Sequence, residues 1–216
     1  MCFSASASFG AGAVLTIIGA VSIKKTSRSS QIPFASIPLL FALQQIAEGF
    51  LWLALSNPDF AFLNEFMTYA FLFFAQVLWP IWVPFSILKF EKPTKRKLFS
   101  KILVGLGFLI AALLGYMLIV YPVSSEVVSC HISYIQKYPM NLLVYGGALY
   151  ILTTIGPTFF VSSKRMWTLG VAIAISYVVT EFFYSEYVVS VWCFFAAITS
   201  ALVLWIVVGS GKETRS

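Results

Sequence analysis

The sequence predicts an all-α integral membrane protein, a single domain of seven transmembrane helices covering residues 1–216. Of its residues, 60% are hydrophobic and 10% are charged, and the mean hydropathy is +0.91. Soluble domains carry about 25% charged residues, so this composition excludes a water-soluble globule. The charges stand in short clusters between apolar runs of roughly 20 residues, the length that crosses a bilayer as a helix. Because a backbone in lipid must satisfy its own hydrogen bonds, we expect these runs to be helical.

Seven apolar segments account for most of the chain, and we expect one helix from each. They are residues 8–23, 32–56, 61–90, 102–123, 141–161, 167–184 and 188–208. The first has no basic stretch before it and no soluble domain after it, so we interpret it as a retained helix and not as a signal peptide. In the third, Pro80 and Pro84 predict a kink, and we interpret Trp79 and Trp82 as interfacial anchors. In the fifth, Gly156-Pro157 predicts a second kink.

The basic residues indicate how the helices are oriented. All of the 14 Lys and Arg except Lys137 lie at the end of or after segments one, three and five, or in the C-terminal tail. The positive-inside rule therefore places the N-terminus outside and the C-terminus in the cytoplasm. The net charge of +6 does not indicate nucleic acid, because the sequence has neither a basic face nor a nucleic-acid-binding motif.

The two halves of the chain show a weak internal similarity. Residues 9–19 of the first segment resemble residues 145–156 of the fifth, allowing one gap. Glu48 in the second segment and Glu181 in the sixth are each followed by aromatic residues. This pattern is typical of two parallel three-helix repeats joined by a linking helix, an arrangement that some transporters use. Close packing of membrane helices through small residues produces a similar pattern without a repeat.

The second segment carries the polar residues on which the functional interpretation depends. Gln44 and Gln45 lie four and three residues before Glu48, and Trp52 lies four residues after it. This spacing places them on one helical face. An intramembrane carboxylate is energetically costly, so it usually faces a protein interior and marks a functional site. The alternative is that these side chains hold neighbouring helices together by hydrogen bonds.

A second set of unusual residues is predicted to lie near the outer ends of the helices. It comprises Cys2, Cys130, His131, Glu181, Tyr184 and Cys193, and the connection that holds two of them, residues 124–140, is long enough to cap the bundle. Three interpretations stay open. In the first, two of the cysteines form a disulfide on an oxidising face. In the second, a zinc or copper ion is held by Cys2, Glu48, His131 and Cys193, although no closely spaced ligand motif is present. In the third, Cys2 acts as a nucleophile.

From its first five residues, Met-Cys-Phe-Ser-Ala, the chain resembles a family of uncharacterised bacterial seven-helix integral membrane proteins that begin in this way. Further similarities are Gln45, Glu48 and Trp52 in a Gln-x-x-Glu-x-x-x-Trp pattern, Gly156-Pro157, and Trp192-Cys193 followed by Ala196-Ala197. The resemblance implies seven helices in a bacterial inner membrane and directs attention to Cys2, Glu48 and Cys193. In that family the position of Gln44 is often His, and this departure weakens any metal site that needs an imidazole on the second helix.

The leading functional hypothesis is an outward-facing polar pocket that binds a metal ion or a small ligand, with transport as one use of such a pocket. The predicted ligand-binding residues are Gln44, Gln45, Glu48, Trp52, Glu181 and Tyr184. One alternative is a thiol- or metal-dependent intramembrane hydrolase or acyl transferase that uses Cys2 with His131 or Glu48 as base. Another is a structural subunit of a membrane complex. The expected partners are the lipid bilayer, the ligand, and a second copy or a membrane-complex subunit.

Overall fold

Helices form along the apolar segments and end where the sequence supplies polar or proline-containing connections. The computed structural model describes residues 4–91 and 97–212, with the backbone alone for residues 140–144 and 211–212. The elements are α1 (Ala5–Lys24), α2 (Ile32–Ala35), α3 (Ile37–Ser56), α4 (Asn64–Leu72), α5 (Trp79–Phe90), α6 (Lys97–Val120), β1 (Val123–Val128), β2 (His131–Gln136), α7 (Met140–Thr154), α8 (Lys164–Phe183) and α9 (Val188–Lys212).

The chain is a multi-pass membrane protein of the all-α class, as predicted. In the described residues, six helical stretches are long and apolar enough to cross a membrane: residues 5–24, 29–56, 58–90, 97–120, 164–183 and 185–210. The fifth predicted span is shorter, because α7 has 15 residues and is followed by a 3₁₀ turn at Gly156–Phe159. Pro157 lacks the N–H that would continue the helix, so the α-helix ends before it, where the sequence predicted a kink within a longer helix. Seven crossings, the repeat and the orientation stay predictions.

A π-helical turn, Phe73–Leu78, separates α4 from α5. Pro80 follows it and cannot donate the backbone hydrogen bond that an α-helix directs to the carbonyl of Gln76. The chain widens at this point, and the side chain of Gln76 becomes buried. Single π turns occur frequently at functional sites, so this break in the α-helical pattern makes the region around Gln76 a candidate functional region.

Close packing of α1 against α3 depends on small side chains. The buried residues of α1 recur at intervals of three and four: Ser8, Gly12, Leu15, Gly19 and Ser22. A Cβ atom at Gly19 would lie 2.9 Å from the backbone nitrogen of Leu39 in α3. Such small residues let two membrane helices approach closely. This packing fixes α3, the helix that carries Glu48, against the wall of the bundle.

The connection between α6 and α7 forms an antiparallel β-hairpin, in which Val123 pairs with Gln136 and Val128 with His131. Ser129 and Cys130 make the turn, with φ angles of 47° and 67°. Two successive positive φ angles are typical of the type I′ turn that matches the twist of a hairpin. The cap expected from the length of this connection is therefore present, but its strands were not predicted.

The hairpin covers the end of the bundle at which α3 ends and α9 begins, which we call the hairpin end. Ile132 is fully buried there among Leu51, Trp52 and Val191. Tyr134 stacks on Phe71 of α4, with 4.9 Å between ring centroids. The hairpin thus closes the bundle above the polar face of α3.

Candidate functional site

The polar face of α3 lies inside the protein. Gln44 and Gln45 are fully buried and Glu48 is 2% exposed. Trp52, one turn further along, is also buried. The predicted shared face is therefore confirmed, and it points towards α9 and the hairpin and not towards lipid.

The carboxylate of Glu48 accepts one hydrogen bond on each oxygen. Ser190, in the first turn of α9, donates its hydroxyl to Oε1 over 2.5 Å. Gln45 donates from Nε2 to Oε2 over 3.2 Å. The Ser190 distance is at the short end of the range for O–H···O hydrogen bonds. Both donors are neutral, so among the described residues no cation is hydrogen-bonded to this buried acid.

Gln44 links α3 to α5. Its Oε1 accepts a hydrogen bond of 2.8 Å from Nε1 of Trp79. The indole of Trp79 is 3% exposed and stacks on Phe41, with 3.9 Å between ring centroids. The interpretation of Trp79 as an interfacial anchor is therefore wrong. The π turn just before Trp79 alters the face on which it lies, and a uniform helical period does not anticipate that change.

Cys193 and Tyr134 complete the cluster around Glu48, here called the Glu48 site and defined by Gln44, Gln45, Glu48, Trp52, Ser190, Cys193 and Tyr134. Cys193 is buried on α9 beside the Gln44 amide, and it interacts electrostatically with Glu48. In the hairpin, burial raises the pKa of the Tyr134 hydroxyl well above its ordinary value, and the nearby groups of Glu48 and Cys193 raise it further. Tyr134 therefore keeps its proton at neutral pH and remains a hydrogen-bond donor.

Several buried polar atoms of the Glu48 site have no hydrogen-bond partner among the described residues. They are Oε1 of Gln45, the Tyr134 hydroxyl and Nε1 of Trp52. Nε2 of Gln44 has only the neighbouring Cys193 thiol. Buried polar groups are nearly always hydrogen-bonded, so these atoms have capacity for further hydrogen bonds around one carboxylate.

Other predicted site residues lie outside the Glu48 site. Glu181 is exposed near the end of α8 and lines a neighbouring cavity that also reaches Cys193. Tyr184 lies against the imidazole of His131, with 5.4 Å between ring centroids, and Tyr187 stacks on the same imidazole at 4.8 Å. These three rings belong to the cap of the hairpin end.

The predicted metal set is only partly placed by the structure. Cys2 lies outside the described residues. Within residues 4–91 and 97–212, no three His, Cys, Asp or Glu side chains are grouped as metal ligands. No disulfide joins Cys130 to Cys193, because the first lies at the exposed hairpin turn and the second on a buried helical face. The metal site and the nucleophilic role of Cys2 stay predictions.

Sequence reasoning missed Ser190, Trp79 and Tyr134. Ser190 lies three residues before Cys193, so the spacing on α9 was a usable signal for a shared face. Tyr134 carried no such signal, because its contact with the site depends on the hairpin register.

Comparison with known proteins identifies the family but supplies no activity. No curated protein and no solved structure matches the chain. The expected resemblance to an uncharacterised family is supported, while a bacterial origin stays a prediction. The model of DUF6629, a family of unknown function, matches residues 1–216, and the chain belongs to this family.

Proposed function

We propose that this membrane protein binds a metal ion or a small positively charged ligand at the Glu48 site, beneath the β-hairpin. The observation that carries the proposal is the Glu48 carboxylate, which is 2% exposed and, among the described residues, is hydrogen-bonded only by the neutral donors Gln45 and Ser190. A buried carboxylate with neutral partners attracts a compensating positive charge, because the low dielectric strengthens electrostatic interactions. The site therefore favours a cationic ligand over an anionic or apolar one.

Binding also gives the unpartnered polar atoms a role. Oε1 of Gln45 can accept a hydrogen bond from a ligand, while the Tyr134 hydroxyl and Nε1 of Trp52 can donate one. Tyr134 belongs to the hairpin, so binding and seating of the hairpin are coupled in this proposal. Release of the ligand requires the hairpin to move away from α3 and α9.

The position of the site in the bundle favours binding over free passage of a charge. Deeper in the bundle, a cavity of about 60 Å³ is lined almost wholly by apolar surface that includes Phe41, Trp79 and Val203. Such a lining opposes the entry of an unpaired charge. We therefore propose that the chain is a binding protein in the cell membrane with the hairpin end outside. Transport of the ligand would require a second arrangement of the helices.

The experiment that tests the proposal is a thermal-unfolding screen of the detergent-purified protein against Zn²⁺, Cu⁺, Na⁺ and small amines. A ligand at 100 times its Kd is expected to raise the melting temperature by about 5–10 °C. Glu48→Gln keeps the shape of the side chain and removes its charge, so it is expected to lose this shift.

Glu91→Gln is the matched control. Glu91 is also buried and also accepts a 2.5 Å hydrogen bond from a serine, Ser162, but it follows α5 at the opposite end of the bundle. The control is expected to keep the ligand-induced shift. A shift that survives Glu48→Gln, or the absence of any shift together with metal-free purified protein, contradicts the proposed function.

A further inference from the structure

A cavity of about 340 Å³ lies beside the Glu48 site and has a different chemical character. We call it the aromatic cavity and define it by Gln76, Gln136, Tyr150, Tyr177, Glu181 and Trp192. Its volume is in the range of small-molecule sites. Glu181 is exposed near the end of α8, so the mouth of the aromatic cavity lies at the hairpin end. Cys193 also lines it, and this residue lies beside Gln44 of the Glu48 site.

Three aromatic rings form adjoining walls of the aromatic cavity. The indole of Trp192 lies 5.2 Å from the ring of Tyr177 and 5.8 Å from that of Tyr150, centroid to centroid. The interplanar angles are 71° and 69°, so both tyrosine rings are nearly perpendicular to the indole. Tyr150 is held in place by donating its hydroxyl to the carbonyl of Ala75 over 2.6 Å. Rings set at right angles around a space are the arrangement that binds an ammonium group through cation–π attraction.

The charge of the cavity lining has one sign. Glu181 supplies a carboxylate one helical turn from Tyr177 on α8, and both residues line the cavity. The described lining includes no Lys, Arg or His. An ammonium group placed among the rings therefore has a carboxylate beside it and no cationic competitor in the lining.

Polar groups of the cavity lining offer hydrogen-bond donors. Nε2 of Gln76 donates to Oε1 of Gln136 over 2.8 Å, and the Tyr138 hydroxyl donates to Oε1 of Gln76 over 3.1 Å. Burial raises the pKa of Tyr138 to about 12, so this hydroxyl keeps its proton. Among the residues that the structure describes, these bonds leave Nε2 of Gln136 without a partner, and Nε1 of the 9%-exposed Trp192 has none either. Two such donors suit an oxygen atom of a ligand.

We propose that the aromatic cavity binds a small organic ammonium compound that carries an oxygen acceptor, with the ammonium group among Tyr150, Tyr177 and Trp192 and beside Glu181. The oxygen of the ligand accepts from Nε2 of Gln136 or Nε1 of Trp192. This inference rests on the proposed function in one respect. It identifies the positively charged ligand as an organic cation, which approaches the Glu48 site through the aromatic cavity.

The test is a calorimetric titration of the full-length purified protein with choline, which has a quaternary ammonium group and a hydroxyl. The control ligand is 3,3-dimethylbutan-1-ol, which has the same shape without the charge. We expect choline to bind at least about tenfold more tightly than this neutral alcohol, and Glu181→Gln to weaken choline binding by about tenfold. A neutral alcohol that binds as tightly as choline overturns the proposal.

Two glycines provide a matched pair of steric variants. A Cβ atom at Gly147, which lines the aromatic cavity, or at Gly105 of α6, which does not, meets no other atom within 4 Å. Both positions therefore accept a leucine without a clash at its Cβ. Gly147→Leu is expected to fill the cavity and abolish choline binding, while Gly105→Leu is expected to retain it. Equal choline affinity of these two variants overturns the proposal.

Glu48→Gln separates this inference from the proposed function. Choline affinity that is lost in Gly147→Leu and unchanged in Glu48→Gln supports the aromatic cavity and contradicts choline binding at the Glu48 site. The reverse result supports the Glu48 site and overturns the aromatic cavity. Loss in both variants supports both.

Discussion

Glu48→Ala is expected to destabilise the protein by on the order of 2–5 kcal/mol and to abolish ligand binding, whereas Glu48→Gln is expected to abolish binding with a much smaller loss of stability. The alanine variant leaves the donors of Gln45 and Ser190 without their acceptor and opens a cavity in the bundle. The glutamine variant keeps the volume and one acceptor oxygen. Comparing the two variants therefore separates the effect of the Glu48 charge on binding from the effect of the side chain on stability.

A double-mutant cycle measures the contribution of the Glu48–Ser190 hydrogen bond. Glu48→Ala and Ser190→Ala, alone and combined, are compared by thermal or denaturant unfolding in detergent. Residues in direct contact couple by about 0.5–3 kcal/mol. Additive effects of the two substitutions contradict the 2.5 Å contact between these side chains. Unchanged stability of Glu48→Ala contradicts the buried, hydrogen-bonded carboxylate.

Ile132→Ala is expected to detach the hairpin from the bundle. Ile132 is fully buried against Trp52 and Val191, and truncation of such a side chain costs about 2–5 kcal/mol. This loss of stability affects mainly the hairpin, which can detach from the bundle without global unfolding. Tyr134 of the same strand packs against the cluster that contains Cys193, so opening the hairpin exposes this thiol.

The readout is the rate at which a water-soluble maleimide labels Cys193 in a background where Cys2 and Cys130 are replaced by serine. We expect Ile132→Ala to accelerate labelling by at least about tenfold. The matched control is Ile135→Ala in the same strand, because Ile135 is 39% exposed. Identical labelling rates for the two variants would show that the hairpin does not close the Glu48 site.

The sequence alone was sufficient for features that depend on local spacing. The i, i+4 relation of Gln44 and Glu48 predicts one polar face, and the structure buries that face. Gly156-Pro157 predicts a kink, and the structure has the end of α7 there, at Thr154. In both cases the determining physics, helical period or a missing backbone N–H, acts within one turn of helix.

Features that depend on contacts between distant residues were not predictable in this way. Ser190 lies 142 residues from Glu48, so only the packing of α9 against α3 reveals their hydrogen bond. The hairpin turn uses Ser129-Cys130 in place of the Asn-Gly or Asp-Gly that usually signals a type I′ turn. Because that signal is missing, the strands that bring Tyr134 to the site were missed as well.

Native mass spectrometry of the protein purified from its own membranes tests the central claim most directly, because it detects a bound metal ion and a bound organic cation alike. Wild type and Glu91→Gln are expected to carry the same additional mass, before or after incubation with Zn²⁺, and Glu48→Gln is expected to lack it. An additional mass retained in Glu48→Gln, or wild-type protein that stays at the mass of the bare chain under every condition, would contradict a ligand-binding site at Glu48.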